Sequence, residues 1–259
     1  MTDYKQAAIE QWTADPCESP YASSEPGTRP YFEEIVAARA DYGPWFPEAL
    51  GYAETRGMRV LDIGCGQGID LTPRHCELAR AHLEAMGLEG TVVNGDAEAM
   101  PFPDGTFERL SSNGVLHHTP DMPAALREAH RVLRPGGEAR IIVYNRSSLH
   151  YWVQKFVVEG ILRRGLLEER SMEGVLSRSV EFSSIGARPL VRVYSPRQMR
   201  RLMREAGFRD VRTFVRHFRA QDTLPTEMLE KRVGALRDPR VLDRIGRIAG
   251  WYVVAVGTR

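Results

Sequence analysis

The sequence predicts an α/β fold: an open, mostly parallel sheet with helices on both faces. Three observations carry this. Short apolar runs, "MRVLDI", "GTVVNGD" and "EARIIVYN", alternate with helical patterns. The run in "EARIIVYN" lacks a polar residue at every second place, as a strand buried on both faces requires. Glycines and polar residues cluster just after the strands, where open α/β sheets hold their ligands. A chain of 259 residues has room for one such core and a modest cap.

Along the chain, residues 1–57 carry turn-rich punctuation, "ADPCESPYASSEPGTRP", then the helical pattern "YFEEIVAARADYG", which predicts an irregular arm followed by a helix. Met58–Ile63 is the first strand, ended by glycines. "TPRHCELARAHLEAMGL" reads as a helix with Thr72 as N-cap, Pro73 at the first helical position and Gly87 as its stop. "GTVVNGD" is a short strand, followed by a loop and turn that lead into "RLSSNG"; "DMPAALREAHRVL" is a helix closed by "RPGG" before "EARIIVYN". Residues 58–145 thus form the core. Longer amphipathic segments predict an inserted helical cap over 146–193. Residues 194–259 return to the sheet with the helix "SPRQMRRLMREAGF" and the strands "RDVRTFVRHF" and "GWYVVAVGTR".

Composition narrows the function. A net charge of +1 argues against a phosphate-driven nucleic-acid binder. The charge is uneven, with 15 Lys and Arg against 7 Asp and Glu between Tyr151 and Ala220. That stretch is read either as solvated arginine-rich helices or as a cap that attracts an anionic substrate or membrane surface. "MTDYKQAAIEQW" is not a basic start followed by an apolar run, and "WYVVAV" falls far short of the ~20 residues a bilayer span needs. The expectation is a cytoplasmic protein with no stable membrane insertion and an open oligomeric state. Cys17, Cys65 and Cys76 show no C-x-x-C spacing, so neither a disulfide framework nor a metal site is expected.

The motifs narrow it further. In "DIGCGQG", Gly64, Gly66 and Gly68 allow a tight turn with no side chain in a ligand's way. Ile69 stands where a dinucleotide fingerprint wants its last glycine, which disfavours a nicotinamide oxidoreductase, as does the lack of a Tyr-x-x-x-Lys set. His117 and His118 are read either as a base for a hydroxyl nucleophile or as residues that orient a loop. No catalytic residue is assigned. Tyr21, Tyr31, Tyr144 and Tyr151 are further candidates to touch a substrate.

Together "VLDIGCGQG", "NGDAEAMPFPDGTF", "SSNGVLHHTPD", "RVLRPGGEARIIVYNR" and "LMREAGF" resemble the class I S-adenosylmethionine-dependent methyltransferases. The nearest subgroup is the one similar to ubiquinone and menaquinone biosynthesis methylases. The resemblance implies the Rossmann-like methyltransferase fold, S-adenosylmethionine as cofactor and a small-molecule acceptor. It places Asp62 and the loop Gly64, Cys65, Gly66 and Gly68 at the methionine and ribose portion. Asp96 and Ala97 would hold the adenine, and Asn113, Gly114 and Val115 would line the floor at the methyl end. In the family an acidic second-strand end binds the ribose hydroxyls, and Asp70 in "IDL" matches it.

One departure stands out. A parallel crossover takes at least about ten to twelve residues, yet Gly68 abuts Ile69. The crossover helix and the usual second strand are therefore expected to be missing. If the shortening is real, "TVVNGD" becomes the strand beside the first, the ribose acid is a displaced Asp70 or Asp96 in its place, an apolar sheet face is exposed and the cofactor site is impaired; if instead the sequence joins across a missing segment, the site is ordinary. A methyltransferase-fold protein without catalysis is the rival expectation.

Overall fold

The computed structural model describes the chain except residues 1–2, 18–20, 65–67, 225, 227–229 and 231. Seven strands form one sheet. They are β1 (Val60–Ile63), β2 (Gly68–Asp70), β3 (Val93–Asn94), β4 (Phe107–Asn113), β5 (Leu133–Tyr144), β6 (Arg209–Arg216) and β7 (Tyr252–Thr258). Their order is β3-β2-β1-β4-β5-β7-β6, parallel from β3 to β5, with β7 antiparallel to both its neighbours.

Helices enclose the sheet. Before β1 come α1 (Asp3–Ala14), α2 (Arg29–Tyr42) and α3 (Phe46–Leu50); α4 (Pro73–Met86) follows β2 and α5 (Met122–Val132) follows β4. A π-type helix, His150–Leu162, then α6 (Gly165–Glu169) and α7 (Met172–Ser179) lie between β5 and α8 (Pro196–Glu205). One apolar layer packs Leu61, Ile63, Ile69, Leu110 and Ile141 under Leu126 and Ala129 of α5 and Met199 and Met203 of α8. The opposite layer seats Phe46 and Leu50 of α3 against Ile142, Val254, Trp251, Tyr151 of the π-type helix and Leu176 of α7.

The second strand corrects the expectation that none would form. Gly68–Asp70 runs parallel to β1, with Asp62 opposite Gly68 and Ile63 opposite Ile69. The crossover helix is absent, but these strands are so short that the chain need step back only two residues, about 7 Å at 3.3 Å per residue. Four peptide units from Gly64 to Gly68 reach about 13–14 Å. Gly68 is needed for the close approach, because a Cβ there would stand 2.1 Å from the Asp62 carbonyl oxygen. "TVVNGD" accordingly is not beside the first strand: β3 pairs with β2, at the sheet edge.

The expectation of an exposed apolar face also fails. By the right-handed crossover rule a helix between β1 and β2 would lie on the same face as α4. On that face register aligns Val60, Arg109 and Glu138 in one row and Asp62, Ser111 and Arg140 in the next. Val60 is exposed, but the rest is polar: Asp62 accepts the Ser111 hydroxyl, and the two arginines are tied by ion pairs. Arg109 and Arg140 both pair with Glu138 and with Glu54, the latter at 3.2 and 2.9 Å.

The arm holds more structure than expected. α1 starts within the first three residues, in a segment whose apolar periodicity is weak. Gln11 donates its side-chain amide to the Phe182 carbonyl at 2.6 Å, and Asp15 accepts the Ser184 amide at 2.7 Å. These bonds join α1 to the segment after α7.

Candidate functional site

The chain order reverses between β1 and β4: β2 and β3 extend one way from β1, and β4 and β5 the other. A cleft opens there beyond the carboxyl ends of the strands, the place where doubly wound sheets bind ligands. It encloses about 190 Å³ reachable by the centre of a water molecule. Its walls mix apolar groups, Ile63, Ile69, Leu71 and Val115, with convergent polar ones, Asp70, Asp96, Thr119 and His118.

Gly64 ends β1 with φ +90°, a left-handed conformation that favours glycine. A Cβ there would collide with the Val115 side chain at 2.0 Å, so glycine lets the loops after β1 and β4 meet. Asp70, at the end of β2, accepts the Thr72 amide at 2.7 Å and faces His75 Nδ1 at 3.4 Å. His75 Nε2 accepts the Cys17 amide at 3.3 Å. Asp96, just past β3, accepts the Glu98 amide at 2.9 Å through one oxygen and Lys5 Nζ at 2.6 Å through the other.

Lys5 also pairs with Glu98, which accepts the Thr119 hydroxyl and the Asp121 amide as well. Burial alone would raise the Glu98 carboxyl, but the bonds from Lys5, Thr119 and Asp121 hold it below its ordinary value. Burial lowers Lys5, and its two carboxylate partners outweigh that and raise it. α1 is thereby fixed by its first turn to the loop after β3.

Asp62 behaves differently. It faces along the sheet, accepts the Ser111 hydroxyl at 2.7 Å, and burial pushes its carboxyl up to about 6. The far end of the cleft is aromatic. His117 and His118 close the turn Leu116–His118 after β4, and Tyr144, at the end of β5, stacks on Trp251 with ring centroids 4.6 Å apart. Tyr144 donates to Glu181 Oε1 at 2.8 Å. Burial, then the neighbouring His118, holds the His117 imidazole well below its ordinary value, whereas burial raises Tyr144 well above its own.

Of the residues expected from the sequence, Gly64, Asp70, Asp96, Ala97, Gly114 and Val115 line this cleft. Asp62, Gly68 and Asn113 do not: Gly68, the first residue of β2, lies under α4 beside His75 and Cys76, and Asn113 ends β4. Cys65 and Gly66 lie outside the described residues. Tyr144 is the tyrosine that reaches the cleft; Tyr31 and Tyr151 are buried elsewhere and Tyr21 is exposed. Lys5, Trp12, His75 and Glu181 line it without having been singled out. Lys5 and Trp12 sit in the segment read as irregular, and Glu181 stands alone in a long polar stretch.

A doubly wound sheet with this strand order, a glycine turn after β1 and acids at the ends of β2 and β3 defines a class I S-adenosylmethionine-dependent methyltransferase fold. Residues 61–141 match the family described as "Methyltransferase domain". The chain is 34% identical over 125 residues to 2-methyl-6-phytyl-1,4-hydroquinone methyltransferase 2, chloroplastic, of Oryza sativa subsp. japonica; the match covers 40% of this chain and 34% of that protein. It is 33% identical over 117 residues to malonyl-[acyl-carrier protein] O-methyltransferase of Erwinia billingiae (strain Eb661), covering 40% and 46%. The chain thus matches between a third and a half of the length of these relatives. In fold it is similar to geranyl diphosphate C-methyltransferase of Streptomyces coelicolor A3(2), solved with Mg2+, geranyl diphosphate and S-adenosyl-L-homocysteine. That similarity has a TM-score of 0.53 at 15% identity and covers 100% and 99% of the two chains. No helix among the described residues is long and apolar enough to cross a membrane.

Proposed function

We propose that this protein is an S-adenosylmethionine-dependent methyltransferase of a small organic acceptor. The observation that carries the reading is the pair of carboxylates, Asp70 and Asp96, facing one cleft at the strand-order reversal, with Gly64 and Val115 in contact between them. This donor set suits the cofactor. Carboxylates accept hydrogen bonds from ribose hydroxyls and from an exocyclic amino group, and Ile69, Leu71 and Ala97 offer apolar surface to a flat base.

The bound cofactor supplies an electrophilic methyl group on a sulfonium. Asp70 is assigned to the ribose hydroxyls and Asp96 to the adenine amino group, with Ala97 packed beside the base. Val115 and Gly114 form the floor toward His118 and Tyr144. Binding and in-line alignment of the acceptor account for most of the rate enhancement, since transfer to a positioned nucleophile needs orientation above all. α1 and the segment after α7, joined through Gln11 and Asp15, exclude water from above. The names of the two relatives, a hydroquinone methyltransferase and a malonyl-[acyl-carrier protein] O-methyltransferase, support an acceptor that carries an ionisable oxygen group.

Calorimetric titration of the purified chain with S-adenosylmethionine and its demethylated product tests this. Micromolar binding, about −8 kcal/mol, is expected, with Asp96→Ala weakening it by roughly 1–3 kcal/mol. A folded protein that binds neither compound would overturn the proposal, and the fold would then be serving something other than methyl transfer.

A further inference from the structure

We propose that His117, His118 and Glu181 form a binding site for a first-row divalent metal ion, zinc being the natural probe, at the far end of the cleft. Glu181 comes from a distant part of the chain, yet the ligand atoms of the three residues all lie within 4.8 Å of one another. His118 and Glu181 line the cleft, and His117 is fully buried behind them.

The hydrogen bonds around His118 and Glu181 are those a metal site uses. His118 Nδ1 stands 2.7 Å from the Leu190 carbonyl oxygen. A carbonyl only accepts, so Nδ1 carries the proton and donates it. Nε2 then turns toward Glu181 Oε1 at 3.7 Å, too far for a hydrogen bond. Four ligands 2.0–2.1 Å from a tetrahedral zinc ion stand about 3.4 Å apart, so this gap is close to the span a bridging cation sets. An imidazole that gives its other N–H to a backbone carbonyl is the usual outer support of a metal-bound histidine. Glu181 has its own support, the Tyr144 hydroxyl at 2.8 Å.

His117 supplies the independent observation. Neither of its ring nitrogens has a hydrogen-bond partner among the described residues, although the side chain is 0% exposed. A buried polar group left unpaired is costly, and a metal ion would take up one of those nitrogens. Two imidazoles and a carboxylate are the donor set of open zinc sites, with a fourth position left for water or a substrate oxygen. Magnesium and calcium prefer all-oxygen sites and are not expected to compete. Here the fourth position would face the cleft, where an acceptor's oxygen could coordinate.

The experiment uses the full chain after chelator treatment, titrated with zinc by calorimetry and with cobalt(II) by visible absorption, without S-adenosylmethionine. Its outcome is therefore separate from that of the methyl-transfer reading. One equivalent should bind at micromolar affinity or tighter, and cobalt should show the absorption of a low-coordinate nitrogen and oxygen site. The near-isosteric Glu181→Gln should weaken binding at least 100-fold, and Tyr144→Phe, which removes only the outer support, about 10-fold. Circular dichroism verifies that each variant is folded. No uptake of either metal would overturn the proposal and leave His118 and Glu181 merely facing one another across 3.7 Å. Uptake unchanged in Glu181→Gln would overturn it too, by placing the metal elsewhere.

Discussion

Asp62 lies on a sheet face where burial lifts its carboxyl from 3.8 to about 6 while the Ser111 hydroxyl partly offsets the cost. Because the folded chain holds this proton more tightly than the unfolded one, the group favours folding below pH ~4. That contribution is lost as pH rises through 6, leaving a penalty on the order of 2–3 kcal/mol at neutral pH. Asp62→Asn keeps an oxygen for Ser111 and removes the charge. It should therefore raise the melting temperature at pH 7.5 and leave it nearly unchanged at pH 4. Equal shifts at both values would show that the carboxyl is already ionised without cost. The motif around Asp62 was legible in the sequence, but its placement was not: strand alternation turns it onto the Ser111 and Arg140 face and away from the cleft.

Among the elements, β2 depends on a single residue. The absent Cβ of Gly68 is what lets the backbone of β2 lie against Asp62. Gly68→Ala should cost about 3 kcal/mol or more, since the blocking atom is backbone and cannot rotate aside. Urea unfolding would measure it, and a loss below 1 kcal/mol would mean that β2 can shift in register. The strands and the helices α4, α5 and α8 were readable from apolar runs and from punctuation such as Pro73 and Gly87, and α8 starts in a full capping box of Ser195 with Gln198. α1 was not, because its polar face and weak periodicity disguise a helix held by Lys5, Gln11 and Asp15 to distant parts of the chain. β2 was misjudged for a different reason: the minimum crossover length applies to strands of ordinary length, and a three-residue strand escapes it.

At the scale of the molecule, ion pairs stand where a covering helix would bring apolar contacts. Arg109 is buried and depends on Glu138 and Glu54, and Arg140 shares both partners. Glu138→Gln removes the inner of the two acids and leaves two guanidinium groups against the mostly exposed Glu54. It should destabilise the protein by roughly 2 kcal/mol, less than the 3–5 seen when a fully buried pair is broken, because Glu138 keeps some contact with water. Chemical denaturation in low and high salt would read it, and a change under 0.5 kcal/mol would show that the network contributes little. The short step from β1 to β2 reaches beyond the native state, to the order in which the sheet assembles. Asp62 meets Gly68 only six residues on, whereas Arg109 must wait for α5 to be passed before it meets Glu138. Closing a loop of about ten residues takes 10–100 ns, so β1 and β2 can pair on the timescale of a hairpin. In a sheet whose other parallel pairs are long-range and slow to find one another, this pair needs no docked helix in order to form.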